Sequence, residues 1–221
     1  MNWIFRYLTS SIGKKHIMAL SGFALMLFLI GHVLGNFLLF AGSDVFNKYS
    51  HALVSNPLII PIEIGLLTVF LVHIFFAVWT SIENKTARPQ QYAHPLCDDK
   101  QKLGSSFMLV TGVILIFFVI FHIVGIKFGT NYPTEVDGVA MRDLYTYVLE
   151  YFQSPAVVAA YTFSMVVLGV HLSHAFWSAF QTLGVNHKKY TPILKLLSIL
   201  FSFAIAGGFL LCIVFAAWKG A

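Results

Sequence analysis

The chain has 221 residues, of which 58% are hydrophobic and only 10% charged, with a formal net charge of +5 and a mean hydropathy of +0.79. A soluble domain carries about 25% charged residues; there are too few here to cover a water-facing surface, so the class is all-α integral membrane protein. In such a chain the positive charge reports which loops hold Lys and Arg and is no signal for nucleic acid.

The opening Met1–Lys15 mixes Trp3, Phe5 and Tyr7 with Arg6, Lys14 and Lys15, the composition of a segment at headgroup level. The apolar run that follows is longer than a signal core and lacks an A-x-A site, so it is expected to remain as a first span. Five runs exceed the roughly 20 residues needed to cross a hydrocarbon core: about 17–41, 57–82, 103–128, 155–181 and 191–218. Between the first two lies a polar break, Gly42–Asn56, and between the next two the loop Asn84–Lys102. Residues 141–152, inside the longest break, show helical spacing and are expected to form a helix lying in the interface. The expectation is one membrane domain over 1–221, a four-helix bundle plus a fifth helix.

Basic residues orient it. With the N-terminus cytoplasmic, the inner segments hold Arg6, Lys14, Lys15, Lys85, Arg88, Lys100, Lys102, Lys188, Lys189 and Lys195; the outer ones hold Lys48, Lys127, Arg142 and Lys219. That bias predicts an N-terminus inside and a C-terminus outside.

Each of the first four runs carries a histidine deep within it: His32, His73, His122 and His171. Ionisable side chains at membrane depth are rare and mark functional sites. At about 1.5 Å per residue, His32 lies roughly 22 Å from the inner end of its helix and His73 roughly 24 Å from the outer end of its own. His122 falls in an outer half and His171 in an inner half. Alternating helix direction therefore sorts them into an outer level, His32 with His122, and an inner level, His73 with His171. Two imidazoles at one depth suit the two axial positions of a haem iron, and two levels predict two haems. Cys97 and Cys212 form no CxxC or CxxCH motif, so the haem would be b-type, without covalent attachment. Gly31, Gly35, Gly125 and Gly169 flank the histidines and would admit a flat macrocycle or another helix. Depth leaves His174, three residues beyond His171, as an alternative ligand. His16, His51, His94 and His187 read as solvated.

No extramembrane segment is large enough for a catalytic domain, a flavin or an iron–sulfur cluster. Two haems pass electrons, so a partner is expected on one side and a mobile carrier, most simply a quinone, on the other. Quinone chemistry moves protons, and Glu63, early in the second run, is the candidate proton group; a carboxylate reaching the headgroups is the plainer account. Asp44, Asn47, Tyr49 and His51 lie on the same side.

The segments GHVLGN around His32, VHIFFAVWTSIENKTARP around His73, FHIVG around His122 and VHLSHAFWSAFQTLGVNHKKY around His171 carry a resemblance over nearly the whole chain. It resembles the dihaem cytochrome b membrane anchors of succinate:quinone oxidoreductases and fumarate reductases, of the single-subunit, five-helix type. The resemblance implies a non-catalytic subunit of respiratory complex II, in a bacterial-type cytoplasmic membrane. Dicarboxylate chemistry then falls to a flavoprotein partner with FAD, joined by an iron–sulfur partner docking on the basic loops (Lys14, Lys15, Lys85, Arg88, Lys188, Lys189). It further implies His73 and His171 as proximal and His32 and His122 as distal haem ligands, His171 over His174 by its spacing to Trp177 and Gly184, and menaquinone near the distal haem. A higher oligomer of the complex stays open. Some fumarate-reducing relatives use a glutamate on the fourth helix; Ser154–Gln181 has no acid here, which tilts the expectation toward succinate oxidation, with a quinol:fumarate anchor as the alternative. From other classes stand the haem anchors of hydrogenases or formate dehydrogenases, against which a fifth helix argues, and a histidine-dependent transporter or proton relay, which would call for more intramembrane acids.

Overall fold

A computed structural model of the chain describes residues 2–87 and 99–220, the side chains of 99–106 excepted. Arg88, His94, Cys97 and the side chains of Lys100 and Lys102 lie outside that description. Among the described residues, five helices are long and apolar enough to cross a membrane. They are α2 (Ser11–Asn36, prolonged by a 3₁₀ turn to Ala41), α4 (Ile59–Thr86), α5 (Asp99–His122), α7 (Pro155–Thr182) and α8 (Thr191–Lys219). Short helices α1 (Trp3–Leu8), α3 (Ser43–Val54) and α6 (Leu144–Tyr151) cap the ends.

Start and stop signals explain the boundaries. Ser10 caps α2 by accepting from the Gly13 N–H at 3.0 Å. Pro155 and Pro192 occupy first-turn positions of α7 and α8, where a missing N–H costs nothing. Gly184 ends α7 at φ +92°, with the Val185 N–H returning to the Phe180 carbonyl at 2.9 Å. The end of α5 is unusual: immediately after His122 the backbone widens into a π turn, Ile123–Lys127, a local feature frequent at functional sites.

The packing centre is α8. Ser198, Ser202, Ala206, Cys212 and Ala216 line its buried side. These small residues let α7 and α2 approach closely, the contact on which helix association in lipid rests. Gly169 of α7 stands where a Cβ would lie 3.3 Å from the Ala206 Cβ, and Gly208 faces Val33 and Phe37. Ser198 is fully buried and donates to the Leu172 and Ser173 carbonyls of α7. By contrast, α4 buries only Thr80 among its 28 residues.

Two ends are distinguishable. At the first, Lys14 of α2 pairs with Glu83 of α4 and lies over Trp79 at 4.8 Å, while His16 reaches the Thr182 carbonyl of α7 at 2.9 Å and also meets Tyr7. His16 is thus engaged between helices, not solvated as its sequence position suggests. Likewise Lys14 is 6% exposed and is taken up in helix packing, not offered to a partner.

The opposite end carries a cap. Expected as a helix from residue 141, the segment begins instead as a hairpin, Pro133–Val136 paired antiparallel with Val139–Arg142. Asp137 and Gly138 both have positive φ, 53° and 76°, the backbone of a two-residue hairpin turn that the Asp-Gly dipeptide favours. Only after Arg142 does α6 start, N-capped by Asp143. The break Gly42–Asn56 is mostly helix α3, whose Asn47, 2% exposed, donates to Asp143 at 2.8 Å and accepts from the Tyr145 N–H at 2.9 Å. Arg142 bonds the Ile126 and Thr130 carbonyls, satisfying backbone acceptors freed where α5 ends.

Candidate functional site

Two of the four histidines come together between helices, and the other two each face a hydroxyl on a neighbouring helix. At the level nearer the capped end, the rings of His32 (α2) and His122 (α5) stand 5.8 Å apart, centroid to centroid, at 79°. A metal–imidazole bond of about 2 Å, with about 1 Å more from nitrogen to ring centre, places two axial imidazoles about 6 Å apart across one iron. The pair nearer the capped end fits that span. His73 (α4) faces α2 through Ser21, and His171 (α7) faces α5 through Thr111.

What holds the rings matters as much as where they stand. His73 Nδ1 lies 3.2 Å from the Met18 carbonyl oxygen and 3.2 Å from Ser21 Oγ. A carbonyl only accepts, so Nδ1 carries the proton and Nε2 keeps its lone pair. His171 Nδ1 lies 3.0 Å from Thr111 Oγ1, whose own hydroxyl proton goes to the Phe107 and Met108 carbonyls. The same tautomer follows. His122 Nδ1 meets Tyr161 Oη at 3.2 Å. Such partners on the second ring nitrogen are what orient a metal-binding histidine. His32 has no hydrogen bond through its ring among the described residues; it stacks on Phe28 at 5.3 Å and meets Phe209 at 5.5 Å.

All four rings are partly exposed within the protein alone. Among the described residues no group of three or more His, Cys, Asp or Glu side chains gathers as a metal-binding cluster. Two nitrogen ligands per site, with four more positions to fill, match a porphyrin-held iron better than an ion held by side chains alone. His174 is placed differently: its ring lies edge-on to Trp177 at 5.4 Å, and Trp177 is covered by Lys195 at 4.9 Å.

Sequence comparison gives one relative consistent with this geometry. Over 164 residues the chain is 27% identical to the succinate dehydrogenase cytochrome b558 subunit of Bacillus subtilis (strain 168), covering 72% of this chain and 73% of that protein. No protein-family model and no solved structure matches.

The remaining expected residues divide. Glu63 lies near the start of α4 and pairs with Lys127 at 2.5 Å, both side chains nearly half exposed. Asn47 serves the cap, and Tyr49 fills the space beside Gly35, where a Cβ would come 2.6 Å from its hydroxyl. Of the flanking glycines, Gly35 and Gly125 admit tyrosines and Gly169 admits α8; only Gly31 faces open space suited to a macrocycle. The glycines that face histidines are Gly22, where a Cβ would lie 3.3 Å from His73 Cε1, and Gly112, where one would lie 3.8 Å from His171 Cε1. Sequence reading passed over these, and over Ser21, Thr111 and Tyr161, because small and hydroxylated residues are ordinary in membrane helices.

Proposed function

We propose that this chain is the membrane-anchoring cytochrome b subunit of a succinate dehydrogenase, binding two b haems, His32 and His122 at the outer level and His73 and His171 at the inner. The observation that carries the reading is the outer pair: two imidazoles from separate helices, 5.8 Å apart at one depth, with His122 held from behind by Tyr161. The relative's name supports the anchor-subunit part of this reading. When bound, the haems supply one-electron transfer across the membrane.

The residues of the chain provide the rest. Hydrogen bonds at Nδ1 leave the Nε2 lone pairs of His73 and His171 available to a metal. Close packing of α7 on α8 around Ser198 holds the backbone beside His171. The first end, with Lys15, Lys85, Lys188 and Lys189 exposed, is the cytoplasmic one on this reading. It receives the iron–sulfur partner, itself joined to the FAD-bearing flavoprotein. At the capped end a quinone, menaquinone by preference, exchanges protons through Glu63, whose carboxylate is positioned by Lys127. The absence of an acid from α7 fits the succinate-oxidising direction in a bacterial cytoplasmic membrane.

Purification from membranes tests this directly. A dithionite-reduced b-type spectrum, two haems per chain and co-purification with a succinate-oxidising flavoprotein are expected. A preparation without haem, or with partners that do not oxidise succinate, sinks the reading.

A further inference from the structure

The chain contains an internal duplication that neither the span count nor the histidine count discloses. Met18-x-x-Ser21-Gly22, followed by His32, recurs as Met108-x-x-Thr111-Gly112, followed by His122, with the same spacing throughout. The partner helices repeat as well: Val72-His73 and Trp79 on α4 match Val170-His171 and Trp177 on α7. Geometry follows the sequence. Ser21 donates to the Ile17 and Met18 carbonyls, as Thr111 does to those of Phe107 and Met108. Helices α2 and α4 therefore correspond to α5 and α7, as in membrane proteins built from parallel repeats about an axis along the membrane normal. In that correspondence the partner of His73 is His171, not His174.

We propose that Ser21–Gly22 and Thr111–Gly112 form a duplicated cradle that positions His73 and His171 as the ligands of the inner haem. The inference rests on the dihaem reading and adds to it the residues that act through the ligands. Each hydroxyl spends its proton on its own helix and so presents a lone pair to the Nδ1–H of the facing histidine. Each glycine removes the side chain that would meet the ring edge; a Cβ on Gly22 would sit 3.3 Å from His73 Cε1, so the ring would have to give way. The cradle lies eleven residues from His32 and His122 on the same helices, about 16 Å along the axis. Helices α2 and α5 thus each supply one outer ligand and the support for one inner ligand.

The two halves differ in one respect that makes the proposal quantitative. His73 keeps the Met18 carbonyl if Ser21 is lost, whereas the hydroxyl of Thr111 is the hydrogen bond His171 has among the described residues. Losing an acceptor at Nδ1–H weakens the imidazole as a donor to ferric iron, so the midpoint potential should rise. In the full-length chain purified with its haems, potentiometry and low-spin ferric EPR are recorded, the inner haem being identified by its loss in His73→Ala and His171→Ala. Thr111→Val should raise the inner midpoint and move its EPR signal, or release that haem, while leaving the outer one unchanged. Thr111→Ser should restore both readings, and Ser21→Ala should give a smaller shift of the same sign. If both haems are bound and the inner signals do not move in Thr111→Val, or both haems move alike, the cradle is refuted while the dihaem reading stands. If His73→Ala and His171→Ala leave two haems in place, the ligand reading itself fails and the cradle with it.

Discussion

The two histidine levels are built on opposite plans. At the inner level both rings face a hydroxyl and a glycine from a neighbouring helix, in arrangements that repeat residue for residue. At the outer level the repeat breaks. Tyr161, ten residues before His171, holds His122, but the corresponding position before His73 is Glu63, which turns to Lys127 while His32 rests on Phe28 and Phe209. A matched pair suits a fixed electron carrier, which needs only constant geometry. An unmatched pair, with a carboxylate on one side and a π turn beside the ligand on the other, suits a level where a second molecule must enter and protons must move. On the proposed reading, the repeat holds at the level that only carries electrons and breaks at the level that must also serve a quinone and its protons.

That contrast can be broken most forcefully at the ligands. His32→Ala or His122→Ala should remove one haem of two and leave the inner one, read from haem content per chain; disappearance of the inner haem alone would reverse the levels. His174→Ala should keep two haems, and a preparation with one would move the ligand from His171 to its neighbour. Next in size, Glu63→Gln should slow quinone-coupled turnover about tenfold or more, within the range for loss of a general acid–base group, with both haems bound; turnover equal to wild type removes that role. Tyr161→Phe should shift the midpoint of the outer haem only, and a shift at the inner haem would show that the levels are not independent.

The smallest effect concerns the cap over the outer level. Burial would raise the Asp143 carboxyl, but hydrogen bonds from Thr146 and Asn47 outweigh it and hold the value below that of an ordinary Asp. A carboxyl depressed in the folded state contributes stability that is present above its unfolded value of about 3.9 and is lost as pH falls toward the folded one. Asp143→Ala should cost the cap about 1 kcal/mol and abolish that acid sensitivity. Hydrogen exchange in α3 and α6 at neutral and acidic pH measures both; equal protection in the variant would place the stability of the cap elsewhere.

Much of this architecture was legible from residue order, because hydropathy in a bilayer is a one-dimensional signal: an apolar run must form a helix to satisfy its backbone. Spans and histidine levels need only length and direction. The expected helix starts too early because apolar spacing from Leu144 extends back across Met141 and Arg142; the Asp137-Gly138 dipeptide is the signal for the hairpin before it. Reading His16 as solvated and Lys14 as a docking residue rests on polar groups near helix ends usually facing outward; their partners, Thr182 and Glu83, are far away in sequence.

By itself, then, residue order determined a membrane bundle of five apolar helices with histidines at two depths. Only tertiary structure decided which side chains stand behind the rings. A hydrogen bond from Thr111 to His171, or the turn of Glu63 toward Lys127, depends on the rotation of two helices about their own axes. Hydropathy, which counts residues along a helix but not around it, carries no record of that rotation.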